Sequence, residues 1–235
     1  MNVYVDGFNL YNGRLKGSEY RWLDLVALFD NLFPSYEVRL VRYFTANLKG
    51  KASPQDPGTV TRQQVYLRAL ETLDRLIIHR GRFEVRPSRY RRRNPAPGES
   101  EMVDVWRPEE KGSDVNLATY LVRDAFMNEA DVYVVVSNDS DLEEAVRIVA
   151  TELSNRVFLI FPHGTESKLL LKCGHEEVVW LSSGKLAESQ LPNPVHTHTA
   201  KLYRPAEWGP LTSRPWKKNR APFGALGPAT MHRGV

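Results

Sequence analysis

The sequence predicts an α/β protein, a three-layer sandwich with a central, mostly parallel sheet and helices on both faces. Two observations carry that prediction. Strand-length apolar runs alternate with helix-length amphipathic segments from residue 2 to about 181, the order that strand–helix–strand units produce. The run Val132-Tyr133-Val134-Val135-Val136 is apolar on both faces, as a central parallel strand must be.

The elements follow in order. Residues 2–6 form a short apolar strand ending at Asp6. Trp22, Leu25, Val26, Phe29, Leu32 and Phe33 recur at helical spacing, and Pro34 stops that helix. A second strand is expected at 37–44. Tyr66, Ala69, Leu70, Leu73, Leu76 and Ile77 mark a long second helix, with a strand around 78–85 after it. Residues 86–100 are Arg-rich and punctuated by Pro and Gly, which predicts a long loop or the tip of a hairpin. Val115, Ala118, Leu121, Val122 and Ala125 share one face of a third helix from about 114. Leu142, Ala145, Val146 and Val149 give the next helix, and 157–161 and 178–181 complete the sheet. Beyond about 190 the periodicity is lost, and composition alone predicts an extension disordered toward its end.

Composition narrows the function. No apolar run approaches the roughly 18–20 residues that span a bilayer, and the opening residues are no signal peptide, so a cytoplasmic protein with no membrane partner is expected. The single cysteine, Cys173, excludes an internal disulfide and a multi-cysteine zinc site. The net charge of +4 is unevenly spread. Residues 190–235 carry seven Lys/Arg against Glu207 alone, leaving a nearly neutral body. Within that body Arg80, Arg82, Arg86, Arg89, Arg91, Arg92 and Arg93 cluster around Glu84. Two basic patches on a neutral body suggest a polyanionic partner; a solvated loop and a soluble tail are the plainer alternative.

Ligands of such sheets bind at the carboxyl ends of the strands, near a topological switch point. Asp6 ends the first strand, Asp139 and Asp141 follow the most apolar strand, and Asp114 opens the third helix. Each has a structural explanation. Asp6-Gly7 suits a turn, Ser140 and Glu143 make a capping box, and Asp114 and Asp141 favour the helix dipole. Together they are harder to explain this way, because two carboxylates about 4 Å apart repel by roughly 4 kcal/mol at an effective dielectric near 20. Oxygen donors with no neighbouring His or Cys point to Mg²⁺ or Mn²⁺ rather than zinc. Such an ion activates water for attack on a phosphate.

The blocks Val5-Asp6-Gly7-Phe8-Asn9-Leu10, Lys111-Gly112-Ser113-Asp114-Val115 and Val136-Ser137-Asn138-Asp139-Ser140-Asp141 resemble the three ordered motifs of the NYN (LabA-like) family, a branch of the PIN-like nucleases. The resemblance implies a PIN-like fold and a Mg²⁺- or Mn²⁺-dependent ribonuclease. It assigns Asp6, Asp114 and Asp139 to the metal, with Asn9 and Asp141 in support and Lys111 steering phosphate. Arg80 to Arg93 would hold the RNA backbone, single-stranded or structured. The segment Lys201 to Trp208 resembles one that follows this domain in some relatives. The division expected is therefore a domain at 1–185, an extension packed on it at 186–210, and a disordered basic tail at 211–235.

Two departures stand out. Relatives often have Gly and Phe where this chain has Asn138 and Leu142, and another helix carboxylate where this chain has Tyr120. The second departure puts a second metal in doubt and keeps an alternative open: an idle nucleic-acid-binding or interaction module. A homodimer and an antitoxin or defence-system partner also stay open. A haloacid-dehalogenase phosphatase is disfavoured because Phe8 stands where its second Asp belongs, and no phosphate-binding P-loop occurs. His196-Thr197-His198 and Cys173-Gly174-His175 read as solvated tail and turn. Tyr11, Tyr90 and Tyr203 could stack on bases if exposed.

Overall fold

The computed structural model describes residues 1–49 and 56–209. Seven strands form the central sheet: β1 (Asn2–Asp6), β2 (Leu40–Ala46), β3 (Leu76–Arg91), β4 (Met102–Lys111), β5 (Val132–Val136), β6 (Arg156–Ile160) and β7 (Glu177–Val179). Their order is β4-β3-β2-β1-β5-β6-β7. Every neighbouring pair is parallel except β3 with β4. The helices are α1 (Gly7–Leu10), α2 (Leu25–Leu32), α3 (Thr59–Leu70), α4 (Ser113–Phe126), α5 (Glu143–Arg147) and α6 (Ser183–Glu188). Single π-helical turns extend α1 to Leu15 and α5 to Glu152. None of these helices is long and apolar enough to cross a membrane.

Alternation along the central strands sorts side chains into two cores, as the pleat requires. Val3, Val5, Val41 and Val134 pack with α2 and α3 through Phe29, Tyr66 and Leu70. Tyr4, Phe44, Tyr133 and Val135 pack with α4 and α5 through Leu117, Leu121 and Val146. Both faces of the sheet are therefore covered, which is why β5 is apolar throughout.

The second core is pinned by one ionised hub. Asp124 of α4 is wholly buried. It accepts hydrogen bonds from Tyr4 Oη at 2.8 Å, Arg42 Nε at 2.7 Å and an Arg123 guanidinium nitrogen at 2.6 Å. The Arg42 guanidinium then lies 4.7 Å from the centre of the Tyr120 ring, and Tyr120 packs 4.2 Å from the His79 ring, which stacks on Phe44. Burial, then the Arg42 charge, push the His79 imidazole down to about 4. The ring therefore stays neutral in this stack near pH 7.

Three expectations are corrected. The second helix ends at Leu70, and Leu76 and Ile77 belong to β3, paired with Val41 and Arg42. Leu73 and Leu76 fit helical spacing equally well, but the turn after Leu70 brings Leu76 into sheet register. Residues 86–91 are strand: β3 pairs with β4 from Arg82–Lys111 to Arg91–Met102. The outer part of this ribbon is exposed on both strands, so it has no apolar face to reveal it in the sequence. The helix expected from Trp22 is α2 and starts at Leu25, capped by Asp24, which accepts from Ala27 N at 2.9 Å.

The chain beyond β7 packs back on the first core. A short antiparallel pair, β8 (Val195–His196) and β9 (Lys201–Leu202), leads to a 3₁₀ turn at Ala206–Trp208. Trp208 is buried, its ring centroid 6.4 Å from Trp22 and 5.8 Å from Tyr66. The expected basic tail at 211–235 lies outside the described residues.

Trp208→Ala should cost roughly 3 kcal/mol, a fall of about 6–12 °C in melting temperature for a chain of this size. A melt within about a degree of wild type would mean that the extension adds no stability. Tyr120→Asp, which restores the family carboxylate, should lower stability by about 1–2 kcal/mol by removing the ring between Arg42 and His79. Unchanged denaturant midpoints would refute that role.

Candidate metal centre

β1 lies beside β5; the connection from β1 runs to β2 and that from β5 runs the opposite way to β6, so a crevice opens between their carboxyl ends. Asp6 is the last residue of β1 and is 4% exposed. Its Oδ1 accepts from Asn9 N at 2.9 Å, capping α1, and its Oδ2 accepts from Ser137 Oγ at 2.9 Å. Burial raises the Asp6 carboxyl above its ordinary range; the hydrogen bonds from Asn9 and Ser137 oppose that rise in part.

Ser137 also accepts from Asp139 N at 3.0 Å, so one hydroxyl positions both carboxylates. Asp139 Oδ1 in turn accepts from Asp141 N at 3.0 Å. The cap of this turn is thus Asp139, not the expected Ser140–Glu143 capping box. Asp114 enters from the other side, in the first turn of α4. The turn before it needs Gly112, whose φ of 94° is left-handed backbone that costs other residues strain. Burial first, then the charges of Asp6 and Asp139, raise the Asp114 carboxyl to about 6.

One carboxylate oxygen from each of Asp6, Asp114 and Asp139 lies within 4.8 Å of the others. They line a cleft of about 230 Å³ with Phe8, Asn9, Asn12, Glu110 and His163. An octahedral Mg²⁺ binds oxygens at about 2.1 Å, so donors across the ion stand about 4.2 Å apart. Oxygens that all lie within 4.8 Å of one another are within reach of such an ion through small side-chain adjustments. The donor set fits a hard divalent cation.

The sequence-predicted residues divide. Asp6, Asn9, Asp114 and Asp139 meet in the cleft. Asn9 is a positioning group: its Oδ1 accepts from Asn138 N at 3.0 Å. Asp141 is exposed and outside the cleft lining, as is Lys111, which pairs with Glu109 at 2.9 Å. Of the arginines, Arg80, Arg86, Arg89, Arg91 and Arg92 pair with Glu71, Glu84, Asp104, Glu101 and Glu99. Arg82 and Arg93 have no carboxylate partner among the described residues. The basic patch is therefore a ribbon of mixed charge, weaker as a phosphate track than a run of free cations.

Sequence reasoning missed Glu110, His163, Asn12 and Phe8. Glu110, near the end of β4, adds a fourth carboxylate to the cleft lining, and its Oε1 accepts from Ser113 N at 3.0 Å. Tyr120 does not line the cleft. His163 follows β6 at the same sheet edge, a usable signal, and its N–H donates to Asn138 Oδ1 at 3.1 Å. The expectation of no neighbouring histidine is thus corrected, although His163 is not one of the three clustered ligands.

Asp114 also gives a pH signature. Its folded pKa of about 6 lies above the ordinary 3.8, so the native state binds the extra proton between these values. Its stabilising contribution is present below about pH 4 and is lost as pH rises through 6. In EDTA, Asp114→Asn should be more stable than wild type at pH 8, by about 1 kcal/mol once solvent screening is allowed for. The two should melt together near pH 4. An equal difference at both pH values would contradict crowding of the carboxylates.

The NYN domain profile matches residues 1–179. A curated relative from Pseudomonas putida, 6-hydroxy-3-succinoylpyridine 3-monooxygenase HspA, is 30% identical over 233 residues, covering 88% of this chain and 74% of the relative. A crystal structure of a Vibrio parahaemolyticus protein of unknown function aligns with a TM-score of 0.47 at 16% identity, covering 81% of this chain and 94% of that one. The chain belongs to the NYN domain family and has its PIN-like nuclease fold.

Proposed function

We propose that this protein is a Mg²⁺- or Mn²⁺-dependent ribonuclease. The single observation that carries the reading is the convergence of Asp6, Asp114 and Asp139 within 4.8 Å at the switch point of the sheet. These three would hold the ion, which when bound supplies a water of lowered pKa and offsets phosphate charge. The chain's own residues do the rest. Ser137 fixes Asp6 and Asp139 relative to one another through two hydrogen bonds. Asn9 and Asn138 tie α1 to the loops after β5 and β6, and so hold the cleft wall at His163. His163 and Asn12 offer donors to phosphate oxygens, and the β3–β4 ribbon offers Arg82 and Arg93 to the backbone.

The purified protein should cut single-stranded RNA with Mn²⁺ or Mg²⁺ and stop with EDTA. Asp139→Asn should lose at least about 100-fold in rate while still binding RNA. Cleavage unchanged in that variant would mean a contaminant and would end the proposal. Binding without any cleavage would favour an idle RNA-binding module. RNA affinity should fall with salt by about 0.7 in log K per phosphate contacted.

A second reading has one observation in its favour. Beside the carboxylates lies a cavity walled by aromatic side chains, which would suit a small pyridine compound of the kind in the Pseudomonas putida relative's name.

A further inference from the structure

A second cavity neighbours the acidic cleft, with Phe8 and Asn12 lining both. Its volume of about 490 Å³ falls within the roughly 300–1,000 Å³ typical of small-molecule sites. Its lining includes the rings of Tyr11, Tyr43, Phe83 at the root of the ribbon and Trp208 from the extension, with Leu15, Leu48, Leu67 and Pro108. Phe8 and Phe83 sit with centroids 6.5 Å apart. At the inner end Gly7 is obligatory, since a Cβ there would lie 2.6 Å from the Tyr43 ring.

The polar lining is mostly committed elsewhere. Arg62 pairs with Asp56 and Glu207, and the Gln63 amide spans Ala46 O and Leu48 N. Tyr66 Oη donates to Leu23 O. Asp56, the carboxylate in this lining, is neutralised by Arg62, so the cavity does not repel an electron-rich guest. The side chains of Asn12 and Lys16, at exposed positions, make no hydrogen bond or ion pair among the described residues. The cavity therefore offers stacking surfaces, few unmet polar groups within, and one amide and one ammonium at its rim.

We propose that this cavity is a ring-binding subsite, seating a planar heteroaromatic ring beside the carboxylate cleft. Stacking on aromatic side chains is worth about 1–3 kcal/mol per base and tolerates any base. The ring has two sources: the base next to the scissile phosphate of RNA, which rests on the ribonuclease reading, or a free heteroaromatic compound. In either case Phe83 and Glu110, paired across β3 and β4, make the ribbon root serve both spaces.

The test begins in EDTA, so that no cleavage enters it. The full-length protein is titrated with AMP, CMP, GMP, UMP and 6-hydroxynicotinate by calorimetry. Saturable binding of at least one probe below about millimolar is expected. Leu48→Trp, which fills the cavity from its rim, and Phe83→Ala should each weaken it about tenfold or more. No saturable binding by any probe would overturn the subsite. So would binding unaltered in both variants when circular dichroism shows them folded. Mononucleotide binding together with a KM for RNA cleavage that Leu48→Trp raises about tenfold assigns the ring to RNA. Binding of 6-hydroxynicotinate alone assigns it to a free compound. Ring binding with no metal-dependent cleavage removes the ribonuclease reading and leaves the subsite standing.

Discussion

A carboxylate buried at the end of the central strand is the constraint on which the rest depends. Taking an ionised carboxylate out of water costs several kcal/mol unless its oxygens are satisfied. Asp6 is satisfied by a backbone N–H from its own helix cap and by Ser137, which lies just past β5. Ser137 reaches it only because β1 and β5 pair in parallel with Val5 opposite Val136. A one-residue slip would exchange the two faces of β1 and separate the hydroxyl from the carboxylate. Sheet register and cleft geometry are thus one requirement.

The contrast with Asp124 separates a site from a structural charge. Asp124 is wholly buried and receives a phenol and two guanidinium groups, so its charge is balanced inside the protein. Asp6 has only neutral donors, and the charged groups facing it are Asp139 and Asp114. Among the described residues no Lys or Arg pairs with any of the three. Negative charge is thus left unbalanced at a cleft, while the same fold balances it ten residues along α4 from Asp114, and the three carboxylates could hold a cation there.

What could be read from the sequence was set by how strongly each element depends on burial. β1, β5 and β6 lie in the sheet interior, and their apolar runs showed it. The core face of α4 was read only in part: Leu121 and Ala125 are buried, but Val115 is exposed and Leu117 is the buried residue of that turn. The β3–β4 ribbon projects with both strands exposed, so Arg, Pro and Glu composition hid ten residues of regular pairing. Asp6, Asp114 and Asp139 were readable because each closes or opens an element at the carboxyl edge. Glu110 was not, because nothing local tells which face of an exposed strand looks onto a cleft. Trp208 was read only from a resembling segment, since a tryptophan in a Pro-rich stretch carries no periodicity.

Tyr120 and Glu110 show why a motif table can mislead where geometry does not. An ion selects the positions of oxygens, not the helix or strand that delivers them. At position 120 this chain needs a ring, because Arg42 and His79 have to be packed over the Asp124 hub. On the strand before α4, Glu110 lines the cleft without disturbing that stack. Glu110 also accepts from Ser113 N, so it fixes the entry to the helix that carries Asp114. The residue at position 120 is thus accounted for by packing, and the acidity of the cleft by Asp6, Asp114, Asp139 and Glu110, four residues delivered from two strand ends, a loop and a helix start.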